Sequence, residues 1–183
     1  MEALREYFRS FGNLPEAAGQ LGAEEAANRL AEQSQSLVDN HALTAQVQAI
    51  RRKHHLAGED ARAAFWILQE YYWNNYARRK PIAGRVARFL AALMRYKYPR
   101  PVLETPDQVI IHSPWGAACP IVRGFAGDLE KCRPVCEACF RHDVILEPDQ
   151  IALLKIAAPT LRLELKKFRE SPEQNCEYAL ITS

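Results

Sequence analysis

The chain has 183 residues, 48% of them hydrophobic and 25% charged, with a formal net charge of +2. That length suits one domain, or one domain with a helical extension, and the composition argues against general disorder. No apolar run approaches the roughly 20 residues of a membrane span, and the opening MEALREYFRSFGN lacks the apolar stretch of a secretory signal, so neither a membrane protein nor an exported one is expected.

The first hundred residues predict helices. GAEEAANRLAEQSQSLVDN (22–40) spaces Ala27, Leu30, Leu37 and Val38, and HALTAQVQAIRRKHH (41–55) spaces Leu43, Val47 and Ile50 at helical intervals. EDARAAFWILQEYYWNNYARRK follows, with acids in its first turn, bases in its last, and a stripe of Phe65, Leu68, Tyr72 and Tyr76. Its aromatic group, which also includes Trp66, Tyr71 and Trp73, suits either a packed core or the wall of a planar ligand site. Pro81 ends it, and IAGRVARFLAALMRYKY (82–98) predicts one more helix with Val86, Phe89, Leu90 and Leu93 on one side.

PRPVLETPD (99–107) holds three prolines and marks the junction between a helical region, 1–98, and a cysteine-rich α+β region, 105–183. QVIIHS (108–113) predicts a short buried strand. Pro120, after Cys119, suits the first position of a helix over 120–130, and Pro134 suits the start of another through VCEACFRHDVIL. PTLRLELKKF (159–168) alternates as a half-buried strand does, RESPEQN (169–175) predicts a turn, and CEYALIT (176–182) a second strand. The expected fold is therefore α+β, a helical N-terminal half followed by a small antiparallel sheet that ends in a hairpin.

Five cysteines without an export signal point to a reducing cytoplasm and to free or metal-bound thiols. Three of them, Cys132, Cys136 and Cys139, stand at i, i+4 and i+7, which puts their sulfurs on one face if the helix is continuous. A cysteine there packs as a small hydrophobe. A helix starting at Pro134 would instead put Cys136 in a first turn, where the dipole favours a thiolate. With Cys132, Cys136 and Cys139 as three ligands, Cys176, Cys119, His112 or His142 would complete the four a zinc site needs, Cys176 being the choice taken, with an iron–sulfur cluster ranked behind zinc. For a thiol–imidazole pair the candidates are Cys136 or Cys119 with His142 or His112, although His142 follows Cys136 by roughly 9 Å along a helix. Charge is uneven, with 15 Lys and Arg against 10 Asp and Glu in residues 1–100 and 9 against 12 afterwards. The short basic runs RRK and ARRK read as solvated helix ends, so nucleic-acid binding is not expected.

VIIHSPWGAACPIVRGF, EKCRPVCEACF and LRLELKKFRESPEQNCEYALI together resemble the L-2-amino-thiazoline-4-carboxylic acid hydrolase family, which is similar to the vinyl-reductase-like ligand-binding domains of bacterial sensors. The resemblance spans about residues 105–183. It implies hydrolysis of a cyclic C–N bond, with Cys136 or Cys119 as thiolate, His142 or His112 as proton donor, and Arg133, Arg141 and Trp115 around the substrate. Its alternative implication is a non-enzymatic small-molecule sensor with a cysteine-held zinc. The expected partner is a small molecule, not a membrane, and homodimer formation is left open.

Overall fold

The computed structural model describes residues 14–79, 101–113, 119–144 and 148–182. The helix expected over 82–98, Trp115, and the side chains of Tyr72, Trp73 and Tyr76 lie outside the described residues. Within them are seven helices and a four-stranded antiparallel sheet, so the fold is α+β. Among the described residues no helix is long and apolar enough to cross a membrane.

Helix α1 (Leu14–Leu21), which the sequence pattern does not announce, runs into α2 (Ala23–Gln35) through Gly22. Gly22 sits at φ 86, a conformation open to glycine, and its N–H closes α1 on the Ala18 carbonyl at 2.9 Å. Helix α2 stops at Gln35, short of the expected 40, and buries Ala26, Ala27 and Leu30. Helix α3 (His41–His54) forms as its spacing predicts. Asn40 caps it by accepting the Ala42 and Leu43 N–H groups, and Leu43, Val47 and Ile50 face inward. From its last turn Arg51 reaches the carbonyls of Leu56, Gly58 and Ala157, which ties α3 to a distant helix end. In α4 (Ala61–Arg79), Asp60 accepts the Ala63 N–H at 2.7 Å, and Ala64, Phe65, Ile67, Leu68 and Tyr71 are buried.

The sheet order is β1-β2-β4-β3, for β1 (Leu103–Glu104), β2 (Gln108–His112), β3 (Arg162–Lys167) and β4 (Glu177–Ile181). Strand β1 falls inside the proline-rich junction. The expected C-terminal hairpin is present, and β4 pairs with β2 as well, which makes it a central strand. Register sets Val109 beside Leu180 and Leu180 beside Leu163, all three buried, while Ile111, Tyr178 and Leu165 form the next row. Because side chains alternate, this is the core face, and His112, paired with Glu177, lies on the other. Helix α4 packs on β2 and β4. The buried residues of the helical half and of the sheet form one hydrophobic cluster.

Helices α5 (Pro120–Gly124), α6 (Leu129–Arg141) and α7 (Pro148–Ala157) complete the fold. Helix α5 is shorter than the expected 120–130, and α7 is not anticipated by the pattern. Gly124 meets Pro15 of α1 so closely that a Cβ there would stand 2.2 Å from the Pro15 Cγ. Gly124→Ala should therefore destabilise the protein by about 1–3 kcal/mol, read as a lower urea midpoint with an unchanged slope.

Candidate functional site

Helix α6 begins five residues before Pro134. Asp128 caps it, its Oδ1 accepting the Lys131 N–H at 3.2 Å. Pro134 is accommodated inside: the Glu130 carbonyl, which loses its partner N–H, belongs to a solvent-exposed residue. The expected start at Pro134 is thereby corrected. Cys136 stands well past the first turn, beyond the reach of the helix N-terminus.

A continuous α6 puts Cys132, Cys136 and Cys139 on its inner face, at 0%, 4% and 0% exposure. Cys119 and Cys176 are buried as well, all five thiols are free, and all belong to the same core cluster. The Cys132 sulfur lies 3.8 Å from the carbonyl of Ile121 in α5, two residues after Cys119. Burial pushes the Cys132 thiol up to about 11, reinforced by Cys119 and opposed by Arg169. Burial, again with Cys119 next, pushes Cys139 to about 12. Cys136 is raised further, first by burial and then by Cys119, Cys139, Cys176 and Cys132 in turn. These three thiols hold their protons at neutral pH, the reverse of the low value expected for Cys136.

Arg169 is a site residue that the sequence reading misses. Only 3% of it is exposed; its Nε–H points at the Cys176 sulfur at 3.4 Å, and an Nη1–H donates to the Pro172 carbonyl at 2.9 Å. In sequence it stands among the polar residues of a turn, and nothing there signals that it folds inward.

The other candidates go elsewhere. Arg133 lies on the outer side of α6, its guanidinium carbon 4.5 Å from the Phe168 ring centre, with Glu137 at 4.0 Å. Arg141 and His142 come together, but on Glu24 of α2: Arg141 bonds one carboxylate oxygen and His142 Nε2 lies 3.1 Å from the other. The Arg141 hydrogen bond first, and the His142 bond second, hold the Glu24 carboxyl below the usual range. His112 is exposed at the end of β2. No imidazole is hydrogen-bonded to a sulfur among the described residues.

Beside His142 a groove of about 180 Å³ opens between α2, α6 and α7. Its apolar wall is Ala31, Val38, Val144 and Ile151, and its polar wall Gln35, His142, Asp143 and Lys155. Asp143, at φ 56, organises the polar side. One carboxylate oxygen accepts the Leu163 N–H of edge strand β3 at 2.7 Å, and the other accepts Lys155 Nζ at 2.6 Å. Lys155 also donates to the Leu161 carbonyl at 2.5 Å.

The zinc quartet Cys132, Cys136, Cys139 and Cys176 shares one core but is not drawn into a ligand set. Among the described residues, which include every cysteine, no group of three or more His, Cys, Asp or Glu is placed to hold a metal ion. Comparison with protein-family models, with characterised proteins and with solved structures finds no match.

Two outcomes follow from this geometry. In the unfolded chain the three helix thiols ionise at the ordinary value near 9.0, below their folded values. Stability is thus whole below pH 9 and falls as pH rises towards 11 and 12, so urea midpoints should drop across that window and drop less in Cys132→Ala. Asp143→Ala should cost about 1–3 kcal/mol in the same measurement, because the Leu163 N–H and the Lys155 ammonium lose their acceptor.

Proposed function

We propose that this chain is a small-molecule-binding domain without turnover of its own, with the groove beside His142 as its ligand site. The groove carries the reading: it combines an apolar wall with a lysine placed by two fixed acceptors. An ammonium has three donors, and two of those of Lys155 are engaged, which leaves one for a ligand. Both Asp143 oxygens already accept, so the groove offers donors more than acceptors. A compact ligand with an apolar body and a carbonyl or carboxylate head suits it. At about 180 Å³ the groove is smaller than the roughly 300–1,000 Å³ of drug-sized sites, so that ligand is correspondingly small.

The geometry supports this reading better than the hydrolytic one. A thiol nucleophile needs a thiolate and a base in reach. The helix thiols are buried and protonated, and His142 engages Glu24. Zinc is not part of the proposal, because the thiols as placed do not form a ligand set.

Thermal shift with a panel of small carboxylates and amides, thiazoline carboxylates included, tests it alongside product analysis and elemental analysis. A ligand should raise the melting temperature of the wild type, fail to do so in Lys155→Met, and be recovered unchanged. Carbamyl-cysteine formation that disappears in Cys136→Ser would replace binding with hydrolysis, and stoichiometric zinc would restore the metal-holding sensor.

A further inference from the structure

The groove holds a second polar group besides Lys155. The His142 ring lines it, and the ring's Nε2 lies 3.1 Å from Glu24 Oε2. Hydrogen bonds from Arg141 first and His142 second hold the Glu24 carboxyl below its usual range, so at neutral pH it is a carboxylate and can only accept. Nε2 therefore carries a hydrogen in either charge state of the ring, and Nδ1 is the atom that gains or loses the proton. Among the described residues nothing bonds Nδ1, which leaves it for a ligand. We infer that the head group this groove takes is a carboxylate, and that His142 gains a proton on Nδ1 as the anion binds, with Glu24 as the residue that positions the ring. The inference rests on the groove being the ligand site.

The donors and acceptors of the groove select an anion. Lys155 keeps one N–H after Asp143 and the Leu161 carbonyl, and Asp143 already accepts at both oxygens. A carboxylate presents two acceptors and brings no donor, whereas a carboxamide brings two N–H groups that need acceptors. With Nδ1 protonated, His142 supplies a second donor and a positive charge. With Nδ1 bare, its lone pair meets the anion instead.

The charged groups around the ring are Glu24 from α2, Arg141 and Asp143 on either side of it in the chain, and Lys155 from α7. Beside these carboxylates and strong bases, the imidazole is the type of group that ordinarily titrates between about pH 5 and 8. An anion next to it raises its pKa, and the proton taken up comes from solvent. The added affinity is thus present below the ring's free value and is lost as pH rises through its bound value.

The test uses the whole chain and matched probes, isovalerate against isovaleramide and butyrate against butyramide. Each is titrated by ligand-observed NMR at about pH 6 and about pH 8, on either side of the imidazole range. The Kd of the carboxylates should rise about fivefold between the two, within the tenfold that a one-unit pKa rise allows, while that of the amides does not rise. Calorimetry in two buffers of different ionisation enthalpy should show proton uptake with a carboxylate and none with its amide. His142→Gln should abolish the uptake and flatten the pH dependence. Glu24→Gln should move the midpoint of that dependence to lower pH, which a purely structural role for Glu24 would not do. Carboxylate binding that is equal at both pH values, or amides that bind tighter than carboxylates at the lower one, would overturn the inference and leave the ligand site standing. Binding of no probe, or binding unchanged in Lys155→Met, would remove the ligand site and the inference with it. Circular dichroism checks that the variants fold, and should His142→Gln fail to fold, the wild-type contrast of carboxylate and amide decides alone.

Discussion

Burial of one face of α6 is the constraint on which the rest of this protein depends. That helix lies against α2, α5 and β3, and its inner row of Cys132, Cys136 and Cys139 fills the space between them. Cysteine suits such a position because it is small and nearly apolar, allowing neighbouring elements to approach closely. Phe140 then continues the face, its ring 5.6 Å from that of Tyr178 on the central strand. The Asp128 cap lets this happen: starting the helix ahead of Pro134 keeps Cys132 in register with the other two.

The same burial divides the chemistry of the C-terminal half into two environments. Inside, burial keeps the protons on Cys132, Cys136 and Cys139, while among the described residues Arg169 donates to the Cys176 sulfur. Outside, the charged groups at the end of α6 pair with α2 and α7, so that Arg141 and His142 meet Glu24 while Asp143 meets Lys155. A helix C-terminus favours a cation such as Arg141, and His142, Asp143 and Lys155 line the groove beside it. Sulfur and imidazole therefore meet different partners, the α6 thiols the core and His142 the Glu24 carboxylate.

Much of this was legible in residue order. The Asn40 cap and the Leu43, Val47, Ile50 spacing specify α3 locally, and the alternation of Leu161, Leu163 and Leu165 specifies β3, because period alone decides which side of an element is apolar. The convergence of α6's cysteines followed from their i, i+4, i+7 spacing once the helix was continuous. Helix α7 was less legible, since IALLKIAA is apolar on nearly every side and shows no periodicity to read.

Residue order by itself determined the α+β class, the hairpin and the shared face of the three cysteines, since these rest on local periodicity and turn chemistry. Tertiary structure alone decided that β4 sits centrally, that Arg169 turns inward to Cys176, and that His142 belongs to Glu24 rather than to a sulfur. Those outcomes depend on which distant elements come to lie side by side, and a charged side chain takes its partner from that neighbourhood, not from its neighbours along the chain.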